Sequence, residues 1–536
     1  MLFRSAFQQM GDIERKLGKL GDSEKAYLKA IEKLEPLAGA GGDLGRDAKR
    51  ALARTRALLG DLLIRSGKDK EKAGPLYAQA LEAQRVLADA KQGPAAAAED
   101  ILRLGQTDKS QGDLLRLDGK FAEAGSAYDR AIAELERALA VDAKHPEARA
   151  ELALAVNARG LVRRELGDPA AAEDDFRRAV EMLEKLVADF PTTPRHREAL
   201  ALALNSMAVI EKDTGRLADA EAHLNGELPL AERLSRDFPD RPEYRRILAR
   251  TLSNLGNVLS DQHRNREAEP VLVQSVKVNT AVSTQSPDDV QIRLDLARDH
   301  VCLGEALRLK GEAEPALASL RTAREINEKL VGEFPDRPRY RILLAENLVN
   351  LALVMQGTEP ARAEELYRAA EDLFDKLVAA HPENVEYRIG QAKCLRNQGA
   401  ARAAAGQSER AEAAYRRALA QLDAKEVKAA AAGKQARAEV LNNLGDLLRG
   451  LGRPEAEAVF REAGAIFADL AARPAATVSD RHNLAIAEYN LGEALFGLKR
   501  LADAEAMMAR AEAGFEKLVL EAPKSVDFRS QLGTQL

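Results

Sequence analysis

The sequence predicts an all-α solenoid, and three observations predict it. A rhythm of about 48 residues runs along all 536 residues. Each period divides into two stretches with apolar residues at three-to-four spacing, the signature of amphipathic helix. Aromatic residues make up only 4% of the chain, with no Trp, while charged residues reach 31%. That composition suits long amphipathic helices packed through Ala and Leu.

The rhythm is clearest in two segments. Residues 238–249 read FPDRPEYRRILA and residues 334–345 read FPDRPRYRILLA, 96 positions apart. A small residue then marks one place in every period: Gly11, Gly60, Gly112, Gly160, Ala208, Gly256, Gly304, Ala352, Gly399, Gly445 and Gly492. Successive markers lie 46 to 52 residues apart, giving eleven units. The units run approximately over 1–36, 46–90, 96–142, 146–191, 194–239, 242–287, 290–335, 338–382, 385–424, 434–474 and 479–522. Residues 523–536 would be a partial twelfth repeat or a cap, which stacked arrays need at their ends.

The elements follow in order within each unit. The first helix carries the marker, as in residues 245–259, RRILARTLSNLGNVL. A turn follows, with Gly often seven residues after the marker, as at Gly119, Gly167 and Gly406. Glycine there supplies the left-handed cap conformation. The second helix begins about ten residues after the marker and stops before Phe-Pro or His-Pro, as at Pro191, Pro239, Pro335 and Pro382. Proline disfavours helix at the residue before it. In the second helix, counting from Gly160, Ala172 stands at +12, Phe176 at +16 and Ala179 at +19; Ala124, Tyr128 and Ala131 repeat the pattern from Gly112. Small residues let the two helices approach, and the aromatic fills the space between them. Such a hairpin cannot bury its apolar face alone and must stack on its neighbours.

These marker, +12, +16 and +19 positions resemble the tetratricopeptide repeat family over nearly the whole chain. The resemblance implies a right-handed superhelical solenoid of about eleven helix-turn-helix repeats forming one domain, with an inner groove for a protein partner. The period departs from the family's 34 residues, so each helix should be longer by about two turns. A narrower resemblance joins the opening MGDIERKLGK and the helix end LEKLVADFP to the tails of bacterial serine/threonine protein kinases. It implies a detached docking tail, because the chain carries no G-x-G-x-x-G, H-R-D or D-F-G motif.

Two places weaken the rhythm. Residues 36–50 are Gly-rich and read as a seam. Residues 424–437, AKEVKAAAAGKQAR, read as a continuation of helix, since Ala and Lys are good helix formers.

Composition excludes several functions. The net charge of −5 gives no field for gripping nucleic acid or an anionic membrane. Two cysteines exclude a disulfide scaffold or a cysteine-rich zinc module. No apolar run approaches the ~18 residues of a membrane span, and residues 1–16 lack the apolar block of a secretory signal. The expectation is a cytoplasmic chain with a protein or peptide partner. Neither a Walker loop nor H-E-x-x-H is present, so no enzyme activity, cofactor or metal site is expected. His145 and His381 precede prolines at helix ends and read as caps.

One column stands out. Two residues before the marker stand Gln9, Leu58, Ser110, Ala158, Ser206, Asn254, Cys302, Asn350, Asn397, Asn443 and Asn490. Sixteen asparagines in 536 residues would place about 0.3 in eleven slots by chance. Asn in a helix interior is mildly unfavourable, so its recurrence calls for a reason. An amide both donates and accepts, which suits clamping a peptide backbone regardless of sequence. In the resembled family this column lines the groove. Asn254, Asn350, Asn397, Asn443 and Asn490 are therefore the candidate peptide-binding residues, with an inter-repeat hydrogen-bond ladder as the alternative. One residue after the marker stand acids, and four after it bases, giving the pairs Asp12–Arg15, Asp113–Arg116, Glu305–Arg308 and Asp446–Arg449. Acidic residues at that position argue against an acidic chain end as ligand.

Overall fold

The computed structural model describes residues 2–16, 19–66, 70–89, 93–285, 287, 289–473, 476 and 478–521. The expected partial repeat at 523–536 lies outside them. The described residues form 23 α-helices, one short 3₁₀ turn and no strand. The chain divides into two compact units, residues 1–210 and 211–536.

The first unit contains four hairpins: α1 (Leu2–Lys16) with α2 (Leu20–Ala38), α3 (Gly42–Ser66) with α4 (Ala73–Ala88), α5 (Pro94–Leu117) with α6 (Phe121–Val141), and α7 (Pro146–Glu165) with α8 (Pro169–Asp189). The division falls within α9 (Pro194–Asp213). The second unit holds α10 (Leu217–Asp237), then α11 (Pro242–Asp261) with α12 (Asn265–Gln285), α13 (Val290–Leu309) with α14 (Ala313–Glu333), and α15 (Pro338–Met355) with α16 (Pro360–Ala380). It continues with α17 (Val385–Ala404) and α18 (Ser408–Gln421), a short α19 (Lys425–Ala429), α20 (Ala431–Gly450) with α21 (Ala456–Ala471), and α22 (Val478–Gly497) with α23 (Leu501–Glu521). Within each unit the two helices of every hairpin pack on each other, so the core is a string of small interfaces instead of one central mass.

The marker glycines are where the two helices of a hairpin lock. A methyl group built on Gly112 would stand 2.7 Å from the ring of Tyr128, one on Gly160 2.6 Å from Phe176, and one on Gly445 2.6 Å from Phe460. These rings are fully buried. The lock lies inside each hairpin, and the second helix's small residues, such as Ala172 and Ala179, are buried beside it.

The lock has a polar catch in the first unit. The hydroxyls of Tyr27, Tyr77 and Tyr128 donate to Asp12, Asp61 and Asp113 at 2.6, 2.7 and 2.7 Å. Each of those acids is the residue after the marker. An aromatic buried among helices is thus completed by a partner for its one polar atom.

The turns behave as the +7 glycines require. Gly119, Gly167, Gly215, Gly311, Gly406 and Gly452 all have positive φ. Three hairpins lack this glycine: in two of them His263 (φ 60°) and Lys499 (φ 62°) take the left-handed conformation instead, which is costly for a side-chain-bearing residue, whereas in the third Glu359 keeps a negative φ of −132°.

The Phe-Pro segments form a clasp between hairpins. Phe190, Phe238, Phe334 and His381 meet His196, Tyr244, Tyr340 and Tyr387 edge to face, with centroids 5.6–5.8 Å apart. Arg245 and Arg341 donate to the carbonyls of Pro239 and Pro335, and Arg388 to Pro382 at 2.7 Å. His145 does cap: its Nδ1 accepts from Ala148 N at 3.3 Å. At His381 the cap of the next helix is Asn384, which accepts from Tyr387 N at 3.1 Å, and the histidine ring serves the clasp.

Both seams differ from the sequence reading. The Gly-rich stretch is a tight turn at Gly39–Gly41 between α2 and α3. The Ala/Lys run is not continuous helix: α18 stops at Gln421, α19 is five residues, and Ala430 is extended (φ −73°, ψ 138°). Tertiary packing overrides propensity. Val427 of α19 is buried, and Gly433 approaches its carbonyl so closely that a methyl there would stand 2.0 Å away.

Candidate functional site

In the second unit, first helices of successive hairpins adjoin one another along the series α11, α13, α15, α17, α20 and α22. The second helices α12, α14, α16 and α18 do not adjoin one another among the described residues. The first helices are therefore the more closely spaced, inner face, and the marker column places side chains on it.

All five predicted asparagines lie on these first helices and all are half-buried. Asn254 is on α11, Asn350 on α15, Asn397 on α17, Asn443 on α20 and Asn490 on α22. Asn254 has a partner within the protein, and three others lend one end of the amide to the protein itself. Asn350 Nδ2 donates to Glu305 of the preceding hairpin at 2.8 Å. Asn397 Oδ1 accepts from the Arg396 guanidinium at 3.2 and 3.3 Å. Asn443 hydrogen-bonds the Tyr415 hydroxyl, whose pKa burial pushes up to about 12. Cys302 interrupts the row on α13; it and Cys394 are free thiols.

The flanking charges divide. Asp12–Arg15 and Asp446–Arg449 form ion pairs at 3.7 and 3.2 Å. Asp113 instead takes the Tyr128 hydroxyl, and Glu305 the Asn350 amide. Acids after the marker thus serve as hydrogen-bond acceptors for the tyrosine hydroxyls in the first unit.

Sequence reasoning missed a second feature, in the first unit. There α1, α3, α5 and α7 adjoin in the same way. They enclose, with Gln84 of α4 and Arg195 of α9, a cavity of about 370 Å³. Its charged lining is Arg15, Arg54, Arg103, Lys109 and Arg195 against Asp61, Glu147 and Glu151. Arg103 pairs with Glu147 at 3.0 Å, and Gln106 donates to the same carboxylate at 3.0 Å. Glu151 is 2% exposed; Arg195 donates to its Oε1, and Lys109 lies 3.5 Å from its Oε2. Burial opposes the charge of Lys109, yet Glu151, Asp113 and Asp61 hold its ammonium above the usual lysine range. Burial likewise pushes the Asp61 carboxyl up, against hydrogen bonds from Tyr77 and Ser110. In the sequence Arg54 and Gln106 stand six residues before their markers and Lys109 three before its own, so no single column collects the lining of the cavity.

Residues 248–288 and 355–410 match two family models, each described as tetratricopeptide repeat. No curated protein matches the sequence. Among solved structures, the apo form of RapI is similar with a TM-score of 0.52 at 16% identity, over 77% of this chain and 97% of that one. Aspartyl phosphate phosphatase F from Bacillus subtilis matches with a TM-score of 0.44 at 15% identity, over 79% and 95%. Yeast Tom70 matches with 0.37 at 14% identity, over 99% and 96%. Residues 248–288 and 355–410 thus read as tetratricopeptide repeats, and the similar structure of RapI supports the helical repeat fold. Among the described residues, no helix is long and apolar enough to cross a membrane.

Proposed function

We propose that the chain is a non-catalytic protein-interaction scaffold that holds an extended segment or a partner helix against the inner face of residues 242–497. The observation that carries this reading is the asparagine row: five half-buried amides in one register, four of them on the successively adjoining α15, α17, α20 and α22 and the fifth on α11, one hairpin beyond Cys302. Asn350 keeps its carbonyl as an acceptor after donating to Glu305, and Asn397 keeps its amide N–H groups as donors after accepting from Arg396. Together they offer a bound backbone both halves of a peptide pairing.

The test is affinity capture with the intact chain, followed by titration of the isolated partner. Changing Asn350 and Asn397 together to Ala should weaken binding by about 1–3 kcal/mol, two hydrogen bonds at about 0.5–1.5 each, with helicity unchanged. Equal affinity of the double variant would assign the row to the hydrogen-bond ladder alone. A docking tail serving a serine/threonine kinase is a special case of the same reading, and it predicts that the captured partner is a kinase or its substrate.

A further inference from the structure

The cavity of the first unit has unequal walls. Five cations face three carboxylates, and the internal pairs leave the excess in one place. Arg54 is exposed and makes no ion pair or hydrogen bond among the described residues. Arg15 lies 3.7 Å from Asp12 and hydrogen-bonds the Tyr27 hydroxyl, but its buried Nε has no acceptor. Across from them stands Gln84, 4% exposed, with an Oε1 that accepts no hydrogen bond. An unpaired buried acceptor is unfavourable, and a bound N–H would relieve it.

Register places these groups together. The approach of Gly60 to Tyr77 fixes the antiparallel pairing of α3 and α4, so Gln84 lies level with Ala53, beside Arg54. The lining runs from Arg103, nine residues before its marker, to Arg15, four after its own. That is about 20 Å of helix rise, the reach of about six residues of extended chain. A single charged group needs far less. The acceptors Gln84 Oε1 and Glu151 Oε2 also oppose a fully ionised phosphate and favour a ligand that carries N–H groups along with its anion.

We propose that this cavity binds an acidic internal stretch of a partner polypeptide, with an Asp or Glu side chain on Arg54 and Arg15 and a backbone N–H on Gln84. The site is separate from the asparagine row and does not rest on it.

The probe is an N-acetylated, C-amidated hexapeptide of alternating Glu and Ala, titrated calorimetrically into the full chain at low salt. Its Gln-for-Glu counterpart should bind at least about tenfold more weakly, the scale of one charge-assisted hydrogen bond. Arg54→Glu should cost the Glu peptide about tenfold or more, and Gln84→Leu about fivefold. Changing Asn350 and Asn397 to Ala should leave this affinity unchanged, which separates the two sites. Arg54 is exposed, so its variant tests the proposal even if Gln84→Leu fails to fold. Equal binding of the two peptides, no binding of either, an unaffected Arg54→Glu variant, or displacement of the Glu peptide by equimolar inorganic phosphate would each overturn it.

Discussion

Hairpins one to three and hairpins six and seven close the same lock with different chemistry. In the first three, a tyrosine ring fills the space over Gly11, Gly60 or Gly112 and its hydroxyl is tied to an aspartate after the marker. In the sixth and seventh, Leu272 and Leu320 sit over Gly256 and Gly304. There the polar groups move into the core: Ser275 and Asn279 donate to Asp299 at 2.7 and 2.6 Å, and Asp299 is fully buried. The first arrangement leaves the Asp12 and Asp113 carboxylates partly exposed at the rim of the lock, with Asp61 more deeply set. The second puts one in dry surroundings, and burial pushes the Asp299 carboxyl up against those hydrogen bonds. A repeat can thus keep its geometry while exchanging an aromatic lock for an aliphatic one with a fully buried acid, and burial raises a carboxyl in both arrangements, at Asp61 and at Asp299.

The largest expected effect tests the aromatic lock. Tyr128→Ala should cost hairpin three about 3–5 kcal/mol by leaving a cavity, seen as lost hydrogen-exchange protection in α5 and α6. Protection in α22 and α23 should not change, because stability in stacked repeats is close to nearest-neighbour additive. Uniform loss across the chain would contradict the string-of-interfaces account.

The buried-acid arrangement recurs at Glu227 of α10, which accepts from Thr251 at 2.8 Å with Arg250 at 4.0 Å. Burial raises its pKa from 4.5 to about 7, over the opposing Arg250 charge. The folded form therefore binds the proton more tightly than the unfolded one. Its contribution is fully present below pH 4.5 and is lost as pH rises to about 7. Glu227→Gln should remove this dependence. Relative to the parent, the variant should gain on the order of 2–3 kcal/mol between pH 4 and pH 8, read by exchange in α10 and α11. A parallel pH profile for variant and parent would refute the assignment.

Overpacking should be milder. Gly256→Leu would drive its side chain into Leu272, whose Cγ lies 2.4 Å from a methyl at that position. A loss of about 1–3 kcal/mol is expected, confined in thermal or exchange measurements to α11, α12 and their neighbours. The smallest effect is a gain: His263→Gly relieves a left-handed φ of 60° and should stabilise its turn by about 1 kcal/mol, raising local exchange protection.

Most of the fold was legible in the sequence because its elements depend on local, recurring chemistry. The eleven markers, the +7 glycines and the Phe-Pro stops fix helix ends to within a few residues of those observed. Where the outcome depended on contacts across the hairpin, sequence was silent. The aspartates after Gly60 and Gly112 read as solvated charge, yet they serve the tyrosine hydroxyls sixteen and fifteen residues on. The Ala/Lys run read as helix because propensity ignores the burial of Val427 that bends it. Of the sites, the asparagine row could be read because repetition exposes it. The cavity could not, since its lining is drawn from several registers and Gln84 comes from a second helix.

The placement of lock and clasp has a consequence for how such a chain changes length. Every lock joins a marker to a residue about sixteen positions ahead, and every clasp joins residues six apart across a hairpin boundary. Neither reaches beyond its own or the adjoining hairpin. Removing or inserting a complete 48-residue cassette therefore strands no partner, whereas deleting one residue inside a helix would rotate the face behind it by about 100°. The number of repeats is free to drift by whole cassettes while the internal design of each stays fixed, and the near-identical segments at 238 and 334 are what such copying leaves behind.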